Sequence, residues 1–464
     1  MCTGAPRMPL GGCMTHPDLV PAYRAHLAEI TARTARALAA CGYDGLVLQA
    51  GEPPGWFRDD QGYAYKAHAD FRLWLPLLDA PGSLLQIVPG RRPRLVFFVA
   101  DDFWYQPAQL PEAWWPAEFD VVTVHSRAAA FAALQGSLAR SAYIGDPLPE
   151  LLAAGIGAIN PEHLLHRLDY ARAVKTPYEI DCLRVANRIA MRGHAAAASA
   201  FASGASEFEI HQEFCRACEQ REQELPYNAI VAVNEAAAVL HYQILRRNRP
   251  SVSRSLLLDA GASFAGYGSD ITRTSVAKTA GVGASGAARD EFAALVDGLE
   301  HAQQALCARV KPGVDWRDVH AAAVRAIATL LVEAGILRCS VDEAVDGDAA
   351  RLFFPHGIGH LLGLMVHDVG GFMADEAGER IAKPPRDPAL RLTRVLQPGY
   401  VVTMEPGLYF IDALLKPART QPVGRSIDWQ RVERLAPFGG IRIEDNLAVT
   451  ASGCENLTRG IHHG

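Results

Sequence analysis

The sequence has no long uninterrupted apolar stretch and no long run of lysine or arginine among its 464 residues. Because no stretch approaches the roughly 18 apolar residues that a bilayer requires, we expect no membrane-spanning segment. The net charge of -6 argues against nucleic acid or an anionic membrane as a partner. The N-terminal segment also lacks the continuous apolar core of a signal peptide, which argues against secretion by that route.

Closely spaced cysteines are nearly absent. The chain has 9 scattered cysteines, and this odd number without a paired framework indicates reduced thiols and a cytoplasmic location. Cys215 and Cys218 form the one close pair, which raises the alternative of a thiol–disulfide or zinc module. The segment around them, SEFEIHQEFCRACEQREQE, has the pattern of an amphipathic helix, so we interpret both as structural thiols.

The composition is that of a folded protein, with 49% hydrophobic residues, and the length predicts two or three domains. Over residues 14–165, helical segments alternate with short β-branched runs, which predicts an α/β domain. Over residues 166–464, helices and antiparallel strands segregate, which predicts an α+β domain. Thr176, Pro177 and Glu179 predict a helix start. We also expect helices over 178–203, 207–223, 288–310 and 316–335, and mainly strands and turns over 353–450. Met1, Met8 and Met14 are alternative translation starts.

Two aspartates lie in SLLLDAGASFAGYGSDITRTSVA. Asp259 follows the apolar run LLL, and Asp270 precedes the strand-like run ITRTSVA. If a hairpin is centred between Phe264 and Ala265, Asp259 and Asp270 face each other with Cβ atoms roughly 5 Å apart. Two carboxylates this close repel unless a cation or a shared proton lies between them. The alternative is a solvated hairpin with turn-forming aspartates.

Three histidines, His356, His360 and His367, lie in FFPHGIGHLLGLMVHDVGGF. The glycines and the proline argue against a helix, and no glutamate follows the first histidine, so the helical zinc-protease motif is excluded. We expect the three side chains to project from an irregular strand pair. Three histidines among glycines favour a functional role over a structural one.

Two glutamates complete the candidate group. Glu405 ends the apolar run VVTM, where an unpaired carboxylate is costly to bury, so we expect a ligand or a general acid–base. Glu444 lies in FGGIRIEDN, where an ion pair with Arg442 is an equally good interpretation. Together these side chains can hold two divalent ions, and oxygen-rich ligation without thiolate favours Mn²⁺, with Co²⁺ or Fe²⁺ also fitting. Paired ions that deprotonate a shared water predict a hydrolase.

The order and spacing of these motifs resemble the pita-bread dinuclear metallopeptidases. The segments DAGASFAGYGSDITRT, PHGIGHLLGLMVHDVGG, MEPGLYFIDALL and FGGIRIEDN are most similar to the Xaa-Pro dipeptidase (prolidase) branch, in its bacterial subgroup that includes the organophosphorus acid anhydrolases. RDDQGYAYKAHADFRLWLPLLD and ADDFWYQPAQLPEAWW in the first domain carry the same resemblance. It implies an N-terminal α/β domain, used in dimerisation and in part of the substrate pocket, and a C-terminal pita-bread catalytic domain.

The resemblance also implies roles for individual residues. His367 stabilises the tetrahedral intermediate. Glu405 takes a proton from the water that bridges the two metal ions and passes it to the leaving amine. Arg391 binds the carboxylate of the dipeptide, with Arg394 as a neighbour that could be confused with it. Asp60, or the adjacent Asp59, reaches the partner subunit's active site in a homodimer. The implied metal ligands are Asp259, Asp270, His360, Glu405 and Glu444, and the further pocket residues are His356, His241 and Tyr227.

We therefore expect a cytoplasmic, homodimeric Xaa-Pro dipeptidase with two divalent ions, Mn²⁺ before Co²⁺, Fe²⁺ or Zn²⁺, and with organophosphate hydrolysis as a side activity. One alternative is aminopeptidase P, which acts on longer Xaa-Pro peptides. Another is a metal-free pita-bread binding protein, which the presence of all five ligand positions disfavours.

Overall fold

The computed structural model describes residues 19–104, 106–278 and 286–463, so the alternative starts at Met1, Met8 and Met14 lie outside the described residues. The helices, in chain order, are α1 (Leu19–Cys41), α2 (Ala69–Trp74), α3 (Arg127–Ala132), α4 (Glu150–Ala153), α5 (Glu162–Arg172), α6 (Pro177–Ala202), α7 (Glu207–Cys218), α8 (Gly286–Cys307), α9 (Trp316–Glu333), α10 (Val341–Asp346), α11 (Ala349–Phe353), α12 (Asp412–Ala418) and α13 (Trp429–Leu435). The strands are β1 (Gly45–Gln49), β2 (Leu84–Ile87), β3 (Arg94–Phe98), β4 (Asp120–Val124), β5 (Ser141–Ile144), β6 (Ala158–Ile159), β7 (Ile230–Val233), β8 (Ser255–Asp259), β9 (Ser263–Phe264), β10 (Tyr267–Gly268), β11 (Thr272–Val276), β12 (Val401–Met404), β13 (Gly407–Tyr409), β14 (Gly440–Arg442), β15 (Asp445–Val449), β16 (Cys454–Asn456) and β17 (Ile461–His463).

The first part of the chain forms one mixed sheet in the order β4-β3-β2-β1-β5-β6. β1 pairs antiparallel with β2 and parallel with β5, and all five residues of β1 are buried. Apolar, β-branched runs suit such a central strand because both of its faces are covered. α1 precedes this sheet in the chain, and Gly42, which follows the helix, has a φ of 75°. The domain boundary at residue 165 stays a prediction.

The start of α6 is the capping box that the sequence predicts. The Thr176 hydroxyl accepts from the Glu179 N–H, and the Glu179 carboxylate accepts from the Thr176 N–H. The cysteine pair lies on α7, which packs closely on α6. A Cβ added at Gly193 of α6 would lie 2.6 Å from Cys218 Sγ, so the thiol fills the contact between the two helices. The helical interpretation of this segment is confirmed.

The two aspartates belong to a long antiparallel hairpin built from β8, β9, β10 and β11. Its turn is Ala265–Gly266, with φ values of 53° and 88°, and two residues with positive φ are typical of a tight type I′ turn. The register places Asp259 opposite Thr272.

This register shows that the predicted hairpin centre between Phe264 and Ala265 is wrong by one residue. Asp270 does not face Asp259 directly, but lies two positions before the residue that does. Side chains separated by two positions lie on the same face of a strand, so the two carboxylates are diagonal neighbours. The error arises because the turn residues, which determine the pairing, adopt a conformation that an alanine rarely takes.

β7 pairs antiparallel with β8, which gives the sheet β11-β8-β7, and the remaining strands form the sheet β12-β15-β16-β17 and the pair β13-β14. Thr403 of β12 lies opposite Asn446 of β15. The expectation of mainly strands and turns over 353–450 missed two short helices, α12 and α13. Each is only seven residues long, too short to show a helical period, and α12 also contains Pro417. Within the described ranges, no helix has both the length and the apolar character needed to cross a bilayer.

Candidate metal centre and active site

Three of the residues expected as metal ligands lie together in the interior of the second part of the chain. Ligand atoms of Asp270, His360 and Glu444 all lie within 4.8 Å of one another, and all three residues are buried. Asp270 lies just before β11, and Glu444 lies between β14 and β15. The group offers two carboxylates and one imidazole, a donor set suited to a divalent ion.

Asp259, at the end of β8, lies in the same cavity and is held by two donors. The Tyr227 hydroxyl donates to Asp259 Oδ1 at 2.7 Å, and the Arg442 guanidinium donates to Oδ2 at 2.5 Å. The alternative ion pair between Arg442 and Glu444 is therefore wrong. Glu444 Oε2 instead accepts from the Thr272 hydroxyl at 2.6 Å, because the loop after β14 turns the carboxylate towards β11.

His360 presents one ring nitrogen to two carboxylates. Its Nδ1 lies 3.0 Å from the Leu361 carbonyl, which can only accept, so Nδ1 carries the proton of the neutral ring. Nε2 then lies 3.3 Å from an Asp270 oxygen and 3.7 Å from a Glu405 oxygen. A histidine whose other nitrogen donates to a backbone carbonyl is oriented as a metal ligand. Thr403 accepts from the His360 N–H at 3.1 Å and fixes its backbone.

The electrostatics of the group favour a cation between its members. Burial, together with the charge of Asp270, raises the pKa of Asp259, raises that of Glu444 well above its usual range, and raises that of Glu405 to about 7. At Asp270, burial opposes ionisation, but the hydrogen bond with His360 lowers the pKa. Three buried carboxyls and the half-buried Glu405 cannot all be ionised without nearby positive charge, and divalent ions would supply it. The residues present therefore fit a metal centre.

His356 lies beside this group but uses both ring nitrogens within the protein. Nδ1 donates to the Gly357 carbonyl at 2.8 Å, and Nε2 accepts from the Tyr409 hydroxyl at 2.8 Å. The Tyr409 oxygen in turn accepts from Arg442 at 2.9 Å. Burial, reinforced by Arg442, lowers the pKa of His356 to about 3, so the ring is neutral. This chain of hydrogen bonds connects His356 with Asp259 through Arg442.

Two adjoining cavities, of about 520 and 640 Å³, open beside the carboxylates. His241 and His367 line both cavities, together with Asp259 and Asp270. The His367 ring stands perpendicular to the His360 ring, with 4.4 Å between the centroids. Burial, together with the charge on His360, lowers the pKa of His367 to about 4. A neutral imidazole in this position can donate a hydrogen bond to a molecule in the cavity.

The two arginines that the sequence left as alternatives occupy different places. Arg391 is exposed and lines the smaller cavity, on which Glu405 and Lys383 also lie. Arg394 is buried, and its guanidinium lies 4.0 Å from the centroid of the Tyr170 ring. Of these two arginines, only Arg391 is therefore available to an anion in the cavity.

Asp60 is the one expected site residue that lies away from the cavities. It is exposed, as is the adjacent Asp59, and neither is among the residues that line the two cavities. The same loop exposes Phe57 and Tyr63.

The sequence interpretation missed Tyr409 and Asn446 and expected Arg442 only as a partner of Glu444. Arg442 and Tyr409 hold Asp259 and His356, and the Asn446 side chain binds both backbone groups of Asp270. Arg442 lies in an apolar strand, where a charged side chain requires a buried partner, and the sequence offered Glu444 for that role. The partner itself cannot be found from the sequence because it is 183 positions away.

Known proteins resemble this chain along almost its whole length. Residues 181–451 match the family model described as Metallopeptidase family M24, and residues 21–170 match the one described as Xaa-Pro dipeptidase, N-terminal domain. An Xaa-Pro dipeptidase of Stenotrophomonas maltophilia (strain K279a) is 44% identical over 437 residues, covering 94% of this chain and 96% of the relative. An Xaa-Pro dipeptidase of Xanthomonas axonopodis pv. citri (strain 306) is 43% identical, covering 97% and 99%.

Among solved structures, proline aminopeptidase P II from Yersinia pestis superimposes with a TM-score of 0.70 at 24% identity, covering 94% of this chain and 97% of that one. The likeness supports the fold alone, and the predicted α+β, pita-bread class is confirmed. Because the family model covers more than half of the chain and the relatives align over nearly its whole length, the chain belongs to metallopeptidase family M24 and is a peptide hydrolase.

Proposed function

We propose that this chain is an Xaa-Pro dipeptidase that uses two divalent ions, most readily Mn²⁺. The observation that carries the proposal is the buried group of carboxylates around His360, which shares a cavity with Arg391. The 43–44% identity to dipeptidases along nearly the whole chain supports the choice of substrate. The ligands in this proposal are Asp259, Asp270, His360, Glu405 and Glu444.

Bound ions would supply Lewis-acid chemistry that lowers the pKa of water and polarises a carbonyl. The chain's own residues do the rest. Glu405, which lines the cavity beside His360, accepts a proton from the attacking water and passes it to the proline nitrogen as that nitrogen leaves. His367 donates a hydrogen bond to the scissile carbonyl oxygen as it gains charge.

Arg391 limits the length of the substrate by binding its C-terminal end. Its planar guanidinium can bind the terminal carboxylate of the dipeptide through two parallel hydrogen bonds. His356 and Phe372 line the same cavity and offer flat surfaces to the proline ring. Tyr227 and His241 line the other cavity, where the first residue of the dipeptide would lie. An Xaa-Pro bond has no N–H, so a protease that grips the backbone N–H at that position cannot use it.

The aminopeptidase P alternative shares this fold but needs room beyond the proline. In this proposal Arg391, which lines the cavity, closes the end beyond the proline to a longer chain, which favours the dipeptidase. Organophosphate hydrolysis, the homodimer with Asp60 in the partner subunit's site, and the cytoplasmic location stay predictions.

The test is hydrolysis of Ala-Pro and Ala-Pro-Ala by metal-free protein to which Mn²⁺, Co²⁺ or Zn²⁺ is added back. We expect Ala-Pro cleavage that requires added metal and is greatest with Mn²⁺, with little cleavage of the tripeptide. The Glu405→Ala variant should be inactive, and the Cys215→Ser/Cys218→Ser variant should remain active as the matched control. Cleavage of the tripeptide alone would contradict the proposal, as would full activity in protein shown to contain no divalent ion.

A further inference from the structure

The segment 361–370 follows His360 and contains His367. It has neither helix nor strand. Within it, the Asp368 N–H donates to the Leu361 carbonyl at 2.9 Å and the Gly363 N–H to the Met365 carbonyl at 3.1 Å, while the Leu362 N–H donates to the Val401 carbonyl at 2.9 Å. The His367 ring has no hydrogen-bond partner among the described residues, so the backbone on either side determines where the ring points. The groups that hold this backbone therefore bear directly on the active site.

On the C-terminal side of His367, Asp368 is held by two buried cations. Its carboxylate accepts from Lys175 Nζ at 2.8 Å and from Arg172 Nη2 at 2.8 Å, and it also accepts from the Val369 N–H at 3.0 Å. The side chains of Lys175, Arg172 and Asp368 are 0%, 4% and 1% exposed. Although burial opposes ionisation, the two cations hold the pKa of Asp368 at about 2.

The second cation extends this group to the first domain. Arg172 Nη1 donates to Asp70 on α2 at 3.1 Å, while Nη2 also lies 3.1 Å from the Met365 sulfur, two residues before His367. Breaking a buried ion pair at one partner leaves an unpaired charge in the interior, so these contacts hold the segment firmly.

On the N-terminal side of His367, Arg72 of α2 holds two loops at once. Its Nη2 donates to the Leu364 carbonyl at 3.0 Å, and its Nη1 donates to the Gly266 carbonyl at 2.6 Å. Gly266 belongs to the turn between Asp259 and Asp270. One guanidinium thus links the turn of the aspartate hairpin with the segment that carries His367. Its fixed fork geometry suits this task, which a lysine ammonium could not fully perform.

We propose that the ion cluster of Asp70, Arg172, Lys175 and Asp368, together with Arg72 and its two carbonyl contacts, positions the His367 ring over the metal ligands. They are positioning residues, since none of them needs to touch the substrate. These residues contact the segment at residues 364, 365 and 368, immediately around His367. Residues that only joined the two domains could make their contacts anywhere on the facing surfaces. This inference rests on the proposed function for the role of His367, but the cluster's effect on the segment can be measured without it.

The principal variant is Asp368→Asn, which keeps the shape of the side chain and removes its charge. We expect kcat for Ala-Pro to fall by about 10- to 100-fold, because small displacements of a catalytic group have effects of this size, with little change in KM. In a His367→Ala background the same substitution should change kcat less than about twofold, because the group it positions is gone. The matched control is Glu376→Gln, which breaks an exposed ion pair with Arg167 on α5.

Arg72→Lys and Arg72→Met provide a second series if Asp368→Asn does not fold. Lysine should retain part of the activity and methionine less. Hydrogen exchange of the metal-loaded protein should show faster exchange confined to about residues 361–370 in each cluster variant, and no such change in Glu376→Gln.

Two results would overturn the inference: an equal loss of kcat from Asp368→Asn with and without His367, or unchanged exchange in the segment. If the wild-type protein does not cleave Ala-Pro at all, the proposed function fails. Faster exchange confined to the segment would then still support the cluster, and its absence would refute it.

Discussion

Arg391 and Arg394 lie three residues apart and have opposite environments. Arg394 is 3% exposed, and its guanidinium is enclosed between the rings of Tyr170 and Tyr400, while also donating to the Gly370 carbonyl at 3.2 Å. Arg391 is exposed at the cavity, with no ion pair to any described residue. A buried, stacked guanidinium supports the fold, whereas an exposed one beside a cavity can bind a ligand.

Replacing Arg391 with alanine should weaken substrate binding and leave the fold intact. A charge-assisted hydrogen bond contributes about 1.5–3 kcal/mol, so we expect kcat/KM for Ala-Pro to fall by about 10- to 100-fold, mainly through KM. The measurement is steady-state kinetics with Ala-Pro, alongside thermal unfolding.

The control substrate is the amide of Ala-Pro, which lacks the terminal carboxylate. Wild-type protein and the Arg391→Ala variant should cleave it at similar rates, and a loss as large as that on Ala-Pro would contradict the carboxylate assignment. Arg394→Met should instead lower the unfolding temperature, because it removes the buried stacking contacts.

At the scale of elements, the pairing of β12 with β15 supports two site residues at once. Thr403 and Asn446 lie opposite each other in this pair. The Thr403 hydroxyl accepts from the His360 N–H, while the Asn446 amide accepts from the Asp270 N–H at 3.0 Å and donates to the Asp270 carbonyl at 2.5 Å. A single strand pair therefore sets the separation between the aspartate hairpin and the histidine segment.

The Asn446→Leu variant should bind Mn²⁺ more weakly by about 10- to 100-fold, the usual effect of removing a group that orients a metal ligand. The reason is that the substitution removes both hydrogen bonds between the Asn446 side chain and the backbone of Asp270. Competition with a coloured chelator measures the affinity. Asn248→Leu, at an exposed position, is the matched control, and equal affinity in the two variants would show that the Asn446 contacts do not orient the ligand.

At the scale of the whole molecule, several buried histidines outside the metal centre link stability to pH. Burial lowers the pKa of His26, His211 and His320, and it lowers that of His194 to about 4. In the unfolded chain these rings have a pKa near 6.5. At these four rings the unfolded state therefore binds more protons between these values, so their contribution to stability falls as the pH falls from about 6.5 towards the folded pKa values.

We expect His194 to contribute about 1 kcal/mol more to the free energy of unfolding of the metal-free protein at pH 7.5 than at pH 5.5, a contribution that the raised carboxyl pKa values of the metal centre oppose. Urea unfolding of the wild type and the His194→Gln variant at the two pH values isolates it. The free energy of unfolding at pH 7.5 minus that at pH 5.5 should be about 1 kcal/mol lower in the variant than in the wild type. His125→Gln, at an exposed position, should leave it unchanged, and equal effects of the two substitutions would contradict the assignment.

The sequence by itself determined the elements whose signals are local. The capping box at Thr176, the helical setting of Cys218 and the alternating runs of the first sheet depend on neighbours within a few positions, so their patterns predict them. The motifs also determined the fold class, because the residue types around His360 and Glu405 occur in a specific order. The roles of the individual site residues and the domain boundary stay predictions.

Only the tertiary structure decided which distant groups meet. The hairpin register depends on a turn with an unfavourable backbone conformation at Ala265, and the partner of Arg442 depends on how β14 packs beside β8. The position of His367 depends on cations such as Arg72, which is 292 positions in sequence from the carbonyl of Leu364. Burial makes such pairings strong, but it is a property of the folded chain, and no local pattern of residues contains it.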